Sequence, residues 1–329
     1  MRKQIIFFFS CLLCAAGSLH AQVDAHFTQY YAYPLWLNPA FTGAIDGSWR
    51  VSGNYRKQWP SSVAAMTSQA LSADVALPKN FGLGITVFSQ RTGDGSYRYN
   101  TGYVSLSYQV HLSEYKILSA GFQAGLLNRR LDISKLQFGS QFNPMMGFDP
   151  SMPSNENLAA GSAVSFDGSV GLLYFDGNPN KNINPFIGVS LYHPSEPDNR
   201  FINNGESNRI PARYSVHGGL RLKMNDRFDL MPNLLYTAQA SAYELAAGLS
   251  MNIRIDGSRD LVAGAMYRHK DAIAPNIGLY MNGLMIGFSY DVNISQMKTV
   301  SSVNGGYELS ISFTKPRKIP DTKFICPRL

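Results

Sequence analysis

The sequence predicts an all-β chain, an outer-membrane β-barrel of about 14 antiparallel strands. Three observations point there. Apolar and polar residues alternate through segment after segment, most near the ~9–11 residues of a tilted membrane strand. The gaps between segments are short and long by turns, with every long gap on the same rim. Tyrosine or tryptophan recurs at segment ends, as in the aromatic girdles of such barrels, although aromatic residues favour strands in general.

Residues 1–21 read as a secretory signal peptide. Arg2 and Lys3 precede an apolar run from Ile5 to Ala16, and Leu19-His20-Ala21 precedes the expected cut. Leucine fits the −3 position less well than alanine, so the cut is placed to within a residue or two. Cys11 and Cys14 lie inside the apolar run and lack small residues ahead of both, which argues against a lipoprotein signal. Their removal leaves Cys326 alone, excluding an intramolecular disulfide and a structural zinc site. Loss of Arg2 and Lys3 leaves 27 basic against 22 acidic residues, a mild net charge of +5 that marks no nucleic-acid partner. No later run approaches the ~20 apolar residues of a membrane helix. Glycine, 29 in all, interrupts nearly every apolar stretch and would cost a helix about 1 kcal/mol each time.

Residues 22–47 form a separate N-terminal unit, predicted to be periplasmic. Phe27 to Gly43, FTQYYAYPLWLNPAFTG, holds aromatic rings and two prolines without a charge. Pro34 and Pro39 exclude a long helix or a central strand and push Tyr33 and Asn38 toward extended geometry. Gly43 can close a turn that other residues resist. The expectation is an extended segment docked in or under the barrel, serving as a plug or partner surface, or as a rigid cap that closes the floor.

The barrel is assigned to 48–314. From Trp49 to Trp59, Trp49, Val51, Gly53 and Tyr55 oppose Arg50, Ser52, Asn54, Arg56 and Gln58. Leu71–Leu77, Phe81–Val87, Val104–His111 and Ile117–Leu127 repeat the pattern. Phe166–Tyr174, Phe186–Tyr192, Tyr214–Leu222, Phe228–Tyr236 and Tyr243–Ile253 follow. Leu261–Tyr267, Asn276–Met281, Leu284–Val292 and Tyr307–Phe313 complete the set. Girdle positions fall at Trp49, Trp59, Tyr99, Tyr174, Tyr192, Tyr214, Tyr236, Tyr243 and Tyr307. Asn282-Gly283 is a type I′ hairpin signal. The long gaps are Ser89–Arg98, Leu131–Ala163, Pro194–Pro211 and Ile294–Asn304, and the second and third are expected to face outward. An even strand count then leaves both termini on the short-turn, periplasmic side. Residues 315–329 are a periplasmic tail in which Lys315, Arg317, Lys318, Lys323 and Arg328 stand against Asp321, punctuated by prolines. It reads as a linear ligand or as a solvated basic end.

No catalytic pattern is present: no Gly-x-Ser-x-Gly elbow, no Walker loop and no His-Glu-x-x-His helix. The expectation is a protein that is not an enzyme, with no cofactor and no metal. His26, His111, His193, His217 and His269 are scattered. His217 with Arg213 and Arg221, and Arg50, Arg56, Arg254 and Arg268, are candidates to line a polar lumen. Asp94, Asp149, Asp167 and Asp176 lack the alternating spacing of a calcium loop and read as turn residues.

Two linked motifs carry a family resemblance. Phe27-Thr28-Gln29-Tyr30, Pro34 and Asn38-Pro39-Ala40-Phe41-Thr42-Gly43 are followed by Tyr55-Arg56-Lys57-Gln58-Trp59, and Cys326-Pro327-Arg328 stands just before the last residue, Leu329. In order and spacing they resemble the PorP/SprF outer-membrane proteins of the Bacteroidetes type IX secretion system, over nearly the whole chain. The resemblance implies a secretion role without catalysis. The partners it implies are the periplasmic ring proteins PorK and PorN, a peptidoglycan-binding lipoprotein, and secreted cargo or surface adhesins, including those of gliding motility. Phe27, Gln29, Tyr30, Pro34, Asn38, Pro39, Phe41 and Gly43 are its candidate plug or docking residues. Lys315, Arg317, Lys318, Lys323, Cys326, Pro327 and Arg328 are its candidate tail ligand. A solute channel with the aromatic segment as hatch is the alternative, and a secreted soluble β-protein such as a lectin is a third reading.

Overall fold

The computed structural model describes residues 24–60, 65–93, 95–143, 145–155, 161–198, 209–295 and 305–316. The expected signal peptide, and the tail from Arg317 onward, lie outside the described residues.

Within them, 14 strands form one closed barrel. In chain order they are β1 (Trp49–Gln58), β2 (Met66–Ala76), β3 (Phe81–Thr92), β4 (Tyr97–His111) and β5 (Lys116–Leu131). After the longest loop come β8 (Ser162–Asp176), β9 (Ile183–Tyr192), β10 (Arg213–Lys223), β11 (Phe228–Gln239) and β12 (Ala242–Arg254). The last four are β13 (Arg259–Arg268), β14 (Ala272–Met281), β15 (Leu284–Asn293) and β16 (Gly306–Lys315). Two-residue strands β6 (Phe142–Asn143) and β7 (Gly147–Phe148) make a small hairpin inside the long loop. Each barrel strand runs antiparallel to its neighbours, and β16 returns to β1 in the register Trp49↔Lys315 to Gln58↔Gly306. Every segment read from the sequence falls on one of these strands to within a residue.

The two faces of the wall differ as the alternation requires. Leu71, Leu83, Ile85, Val104, Leu106 and Phe122 point outward and are exposed, while Ser72, Thr86, Ser105, Ser107 and Gln123 point inward and are buried. A continuous apolar exterior of this extent matches a hydrocarbon surround and exceeds the patches soluble proteins leave bare.

Three expectations change. β3 runs on to Thr92 and β4 begins at Tyr97, so the gap taken as Ser89–Arg98 shrinks to a short turn. Its strand ends carry Ser89, Arg91, Arg98 and Asn100 on the outer face, so the apolar alternation stops there while backbone pairing continues. Tyr99 and Tyr192 turn inward and are buried, and so belong to no outer girdle; Tyr214, Tyr236 and Tyr243 do face outward. Lys315 is no tail residue, because its backbone closes the barrel opposite Trp49 and accepts from Ser48 N at 2.8 Å. Of the two placements expected for the N-terminal segment, in or under the barrel, the described residues 24–47 take the first, bonded to the inner wall.

At Asn282-Gly283 both residues have positive φ, 49° and 89°, between paired Met281 and Leu284. This is the type I′ turn that the dipeptide specifies.

Candidate functional site

The site is the lumen, and what fills it is residues 24–48. Proline sets the local form of this segment. Pro34 opens a four-residue helix (Pro34–Leu37) and Pro39 opens a 3₁₀ turn (Pro39–Phe41), each at a first helical position, where its missing N–H costs nothing. A further 3₁₀ turn covers Tyr30–Ala32. The segment is therefore three short turns and not an extended chain, with Asn38 extended between two of them at φ −162° and ψ 122°. Gly43, at φ 69°, makes the turn that leads toward β1.

These turns cross the lumen. Asp24 meets side chains at the rim that carries the long loops, and Gly47 meets Lys315 at the short-turn rim. A buried segment without a regular ladder must find partners for its peptide groups, and the wall supplies hydroxyls. Ser119 donates to Ala40 O at 2.7 Å, Ser190 to Leu37 O at 2.8 Å, and Ser107 to Thr42 O. The segment answers with two side chains. Asn38 Nδ2 donates to Leu172 O at 2.9 Å and Val189 O at 3.1 Å, two residues paired across β8 and β9. Tyr33 reaches Leu71 O and Val87 O, both at 3.2 Å, which are paired across β2 and β3. Close approach needs bare backbone: a Cβ on Gly121 would strike Pro39 and Ala40, and one on Gly171 would strike the side-chain oxygen Oδ1 of Asn38.

Aromatic packing holds the half nearer the long loops. Phe27 sits edge-on to Tyr33 and Phe88, and Trp36 stacks on Phe88 at 4.6 Å. Two charged clusters flank it. In the first, His193 Nε2 lies 2.8 Å from Asp24 Oδ2 and its Nδ1 lies 2.8 Å from Asp167 Oδ2. Arg213 approaches Asp24 at 3.3 Å and lies over the Tyr192 ring at 4.2 Å. Burial works against a charged imidazole in the loop beyond β9, but the carboxylates of Asp24 and Asp167 outweigh it and raise His193 to about 9. Burial likewise opposes the Asp24 carboxylate, and His193 and Arg213 overcome it, holding its pKa well below the usual range.

In the second cluster Asp291 Oδ2 accepts from Arg56 and Arg268, each at 2.8 Å, and its Oδ1 accepts from Thr28 at 2.8 Å. Glu308 takes the backbone N–H groups of Thr28 at 2.7 Å and Gln29 at 3.0 Å. The Gln29 side chain bonds to Ser289 and Ser310.

Near the short-turn rim Arg50 pairs with Asp74 at 2.9 Å, and Gly43 N donates to the same carboxylate at 2.8 Å. Arg221 and Arg254 share Asp229. Between the segment and β8–β16 lies a cavity of about 230 Å³, lined among others by Phe41, Phe175, Phe186, Met231, Val262 and Met285.

The candidate residues thus split by place. Phe27, Gln29, Tyr30, Pro34, Asn38, Pro39, Phe41 and Gly43 meet in the lumen, where Tyr30 donates to Asn233 at 2.6 Å. Of the first-strand motif, Arg56 and Gln58 point inward, Tyr55 packs outward near Tyr307, and Trp59 follows the end of β1 at φ 49°. Arg317, Lys318, Lys323, Cys326, Pro327, Arg328 and also Asp94 fall outside the described residues. Among the candidate lumen residues, His217 is buried against Phe41 without a hydrogen bond to its ring nitrogens. His111 and His269 do not enter the lumen clusters. The roles of Asp24, Asp291 and Glu308 were not read from the sequence. The inward phase of their strands was the available signal for the latter two.

A closed antiparallel wall, apolar outside and polar with a packed interior, defines a membrane β-barrel consistent with the outer membrane. The family described as Type IX secretion system membrane protein PorP/SprF matches residues 19–313, and the chain belongs to it. No known enzyme family is indicated. No curated protein matches the chain. Among solved structures, the Ralstonia pickettii toluene transporter TbuX is similar with TM-score 0.51 at 12% identity, over 87% of this chain and 93% of that one. The Pseudomonas putida toluene transporter TodX is similar with TM-score 0.50 at 12% identity, over 89% and 95%. At such identity the likeness is one of fold.

Proposed function

We propose that this barrel helps secrete, or hold at the cell surface, cargo of the type IX system such as adhesins, while docking to the periplasmic ring. Membership of the family supports a role with the secretion machinery. The observation that carries the finer reading is the occupied lumen. Residues 24–45 are bonded into the wall at both ends, which suits a platform better than a solute pore. The loops after β5 and β9 share one rim and are the surfaces offered to cargo. The opposite rim, with the chain end beyond Pro316, is offered to PorK- and PorN-like ring proteins and to a peptidoglycan-binding lipoprotein. Because Lys315 belongs to the wall, the test deletes 317–329 only. We expect unchanged barrel insertion with loss of co-purification of the ring proteins; retained co-purification refutes docking through the tail.

One observation favours a channel for small hydrophobic solutes instead: the apolar cavity of about 230 Å³ in a barrel whose fold resembles two toluene transporters. Uptake of a monoaromatic compound into liposomes bearing the purified protein, above that of empty liposomes, is what this reading requires.

A further inference from the structure

Two cavities lie end to end on the same side of the lumen. The larger, of about 230 Å³, reaches the short-turn rim, where Gly283 and Thr314 form part of its lining. The smaller, of about 50 Å³, lies toward the rim of the long loops, lined there by Asp24, Arg213 and Gln239. We propose that they are the two halves of one passage for water and small ions, closed at a single level by the ring of Tyr30.

Strand β11 shows how little separates them. Its inward side chains run Met231, Asn233, Leu235, Thr237 and Gln239; the first two line the larger cavity and the last three the smaller. The break falls between Asn233 and Leu235, one step of the inward face and about 7 Å of strand. The neighbouring strand does little to fill that step. Across the β11–β12 ladder Asn233 pairs with Gly248, and Leu235 pairs with Ala246.

The filling comes from the N-terminal segment. Tyr30 packs in one cluster with Leu37, Leu235, Ala246 and Met266, and its hydroxyl donates to Asn233 Oδ1 at 2.6 Å. Tyr30 lines the smaller cavity, while its chain neighbours Gln29 and Tyr31 line the larger. The residue therefore stands on the boundary. Without its ring, Asn233 Oδ1 loses this donor, and a polar atom facing new space is what admits water. Charged side chains stand toward both ends, Asp24 and Arg213 at one and Arg50 and Arg221 at the other. The smaller cavity has room for only a few water molecules, so the passage suits ions and not bulky solutes.

The test is single-channel conductance of the purified protein in planar bilayers in potassium chloride, and it rests on neither functional reading above. The unaltered chain should stay near the baseline. Tyr30→Ala should give discrete steps, several-fold smaller than those left by deleting residues 24–45, and Tyr30→Phe, which keeps the ring, should stay closed. The proposal is overturned if the unaltered chain already conducts, if Tyr30→Ala is silent, or if Tyr30→Phe conducts as Tyr30→Ala does. Steps as large as the deletion's would mean that the whole segment has let go, and overturn it equally. As a second measurement, Ala246→Cys in a Cys326→Ser background places a thiol at the closure. A charged methanethiosulfonate should block the current when Tyr30→Ala is added and leave that thiol unmodified when Tyr30 is kept; current that persists, or equal modification in both, refutes the seal.

Discussion

Asp291 sits between the guanidinium groups of Arg56 and Arg268, all three side chains buried within the wall. Removing one member of a buried charge cluster strands the others, at about 3–5 kcal/mol. Asp291→Ala should therefore lower the thermal unfolding midpoint in detergent markedly, and more than Asp291→Asn, which keeps a hydrogen-bond acceptor. The cluster at the other flank answers to pH. His193 has a pKa of about 9 when folded against 6.5 unfolded, so its contribution is complete below 6.5 and lost as pH rises through about 9. Asp24 is shifted down from 3.8, so its contribution is present above that value and lost only in stronger acid. Hydrogen exchange across residues 24–33 should be slowest between roughly pH 4 and 6.5 and faster above about 9 once corrected for intrinsic rates. His193→Gln should flatten the alkaline part of that profile. Arg56 was legible as an inward residue from the alternation of β1 alone. Its partner Asp291, 235 positions away, was not, because their meeting depends on the seam between β1 and β16 and on β15 beside it.

At the level of elements, the strands were readable and the lumen segment only partly so. Alternation survives in sequence wherever lipid lies on one side and polar groups on the other. It fades at Ser89 to Arg91, where the strand outlasts the apolar exterior, and there sequence reasoning placed a loop. For residues 24–48 the prolines excluded a long helix or central strand, and the same prolines then start short helical turns that composition does not distinguish from an extended chain. Deleting residues 24–45 should open the lumen. We expect single-channel conductance in planar bilayers to rise from near the baseline to discrete steps; a deletion variant as silent as the full chain would show that other groups close the barrel. Gly171→Val, which drives side-chain atoms into Asn38, should loosen the segment at a cost of about 1–3 kcal/mol, seen as faster exchange of residues 35–42 with the strands unaffected.

Taken whole, the molecule is an inverted globule, with its apolar surface outside and its buried charges within. A cation in the middle of the outer face should therefore be among its costly surface changes. Ile85→Arg on β3 is expected to destabilise the barrel by about 2–4 kcal/mol in lipid, measured by denaturant unfolding in vesicles. A loss below a few tenths of that would mean β3 does not cross hydrocarbon at this level.

The bonds from Thr28 and Gln29 to Glu308 join the N-terminal lumen segment to the last strand of the wall, 280 and 279 positions on. The wall closes by bringing that same strand against β1. Assembly thus has a calendar: the filling cannot be fully fixed in place before the final stave arrives, and once that stave is home the filling is shut in.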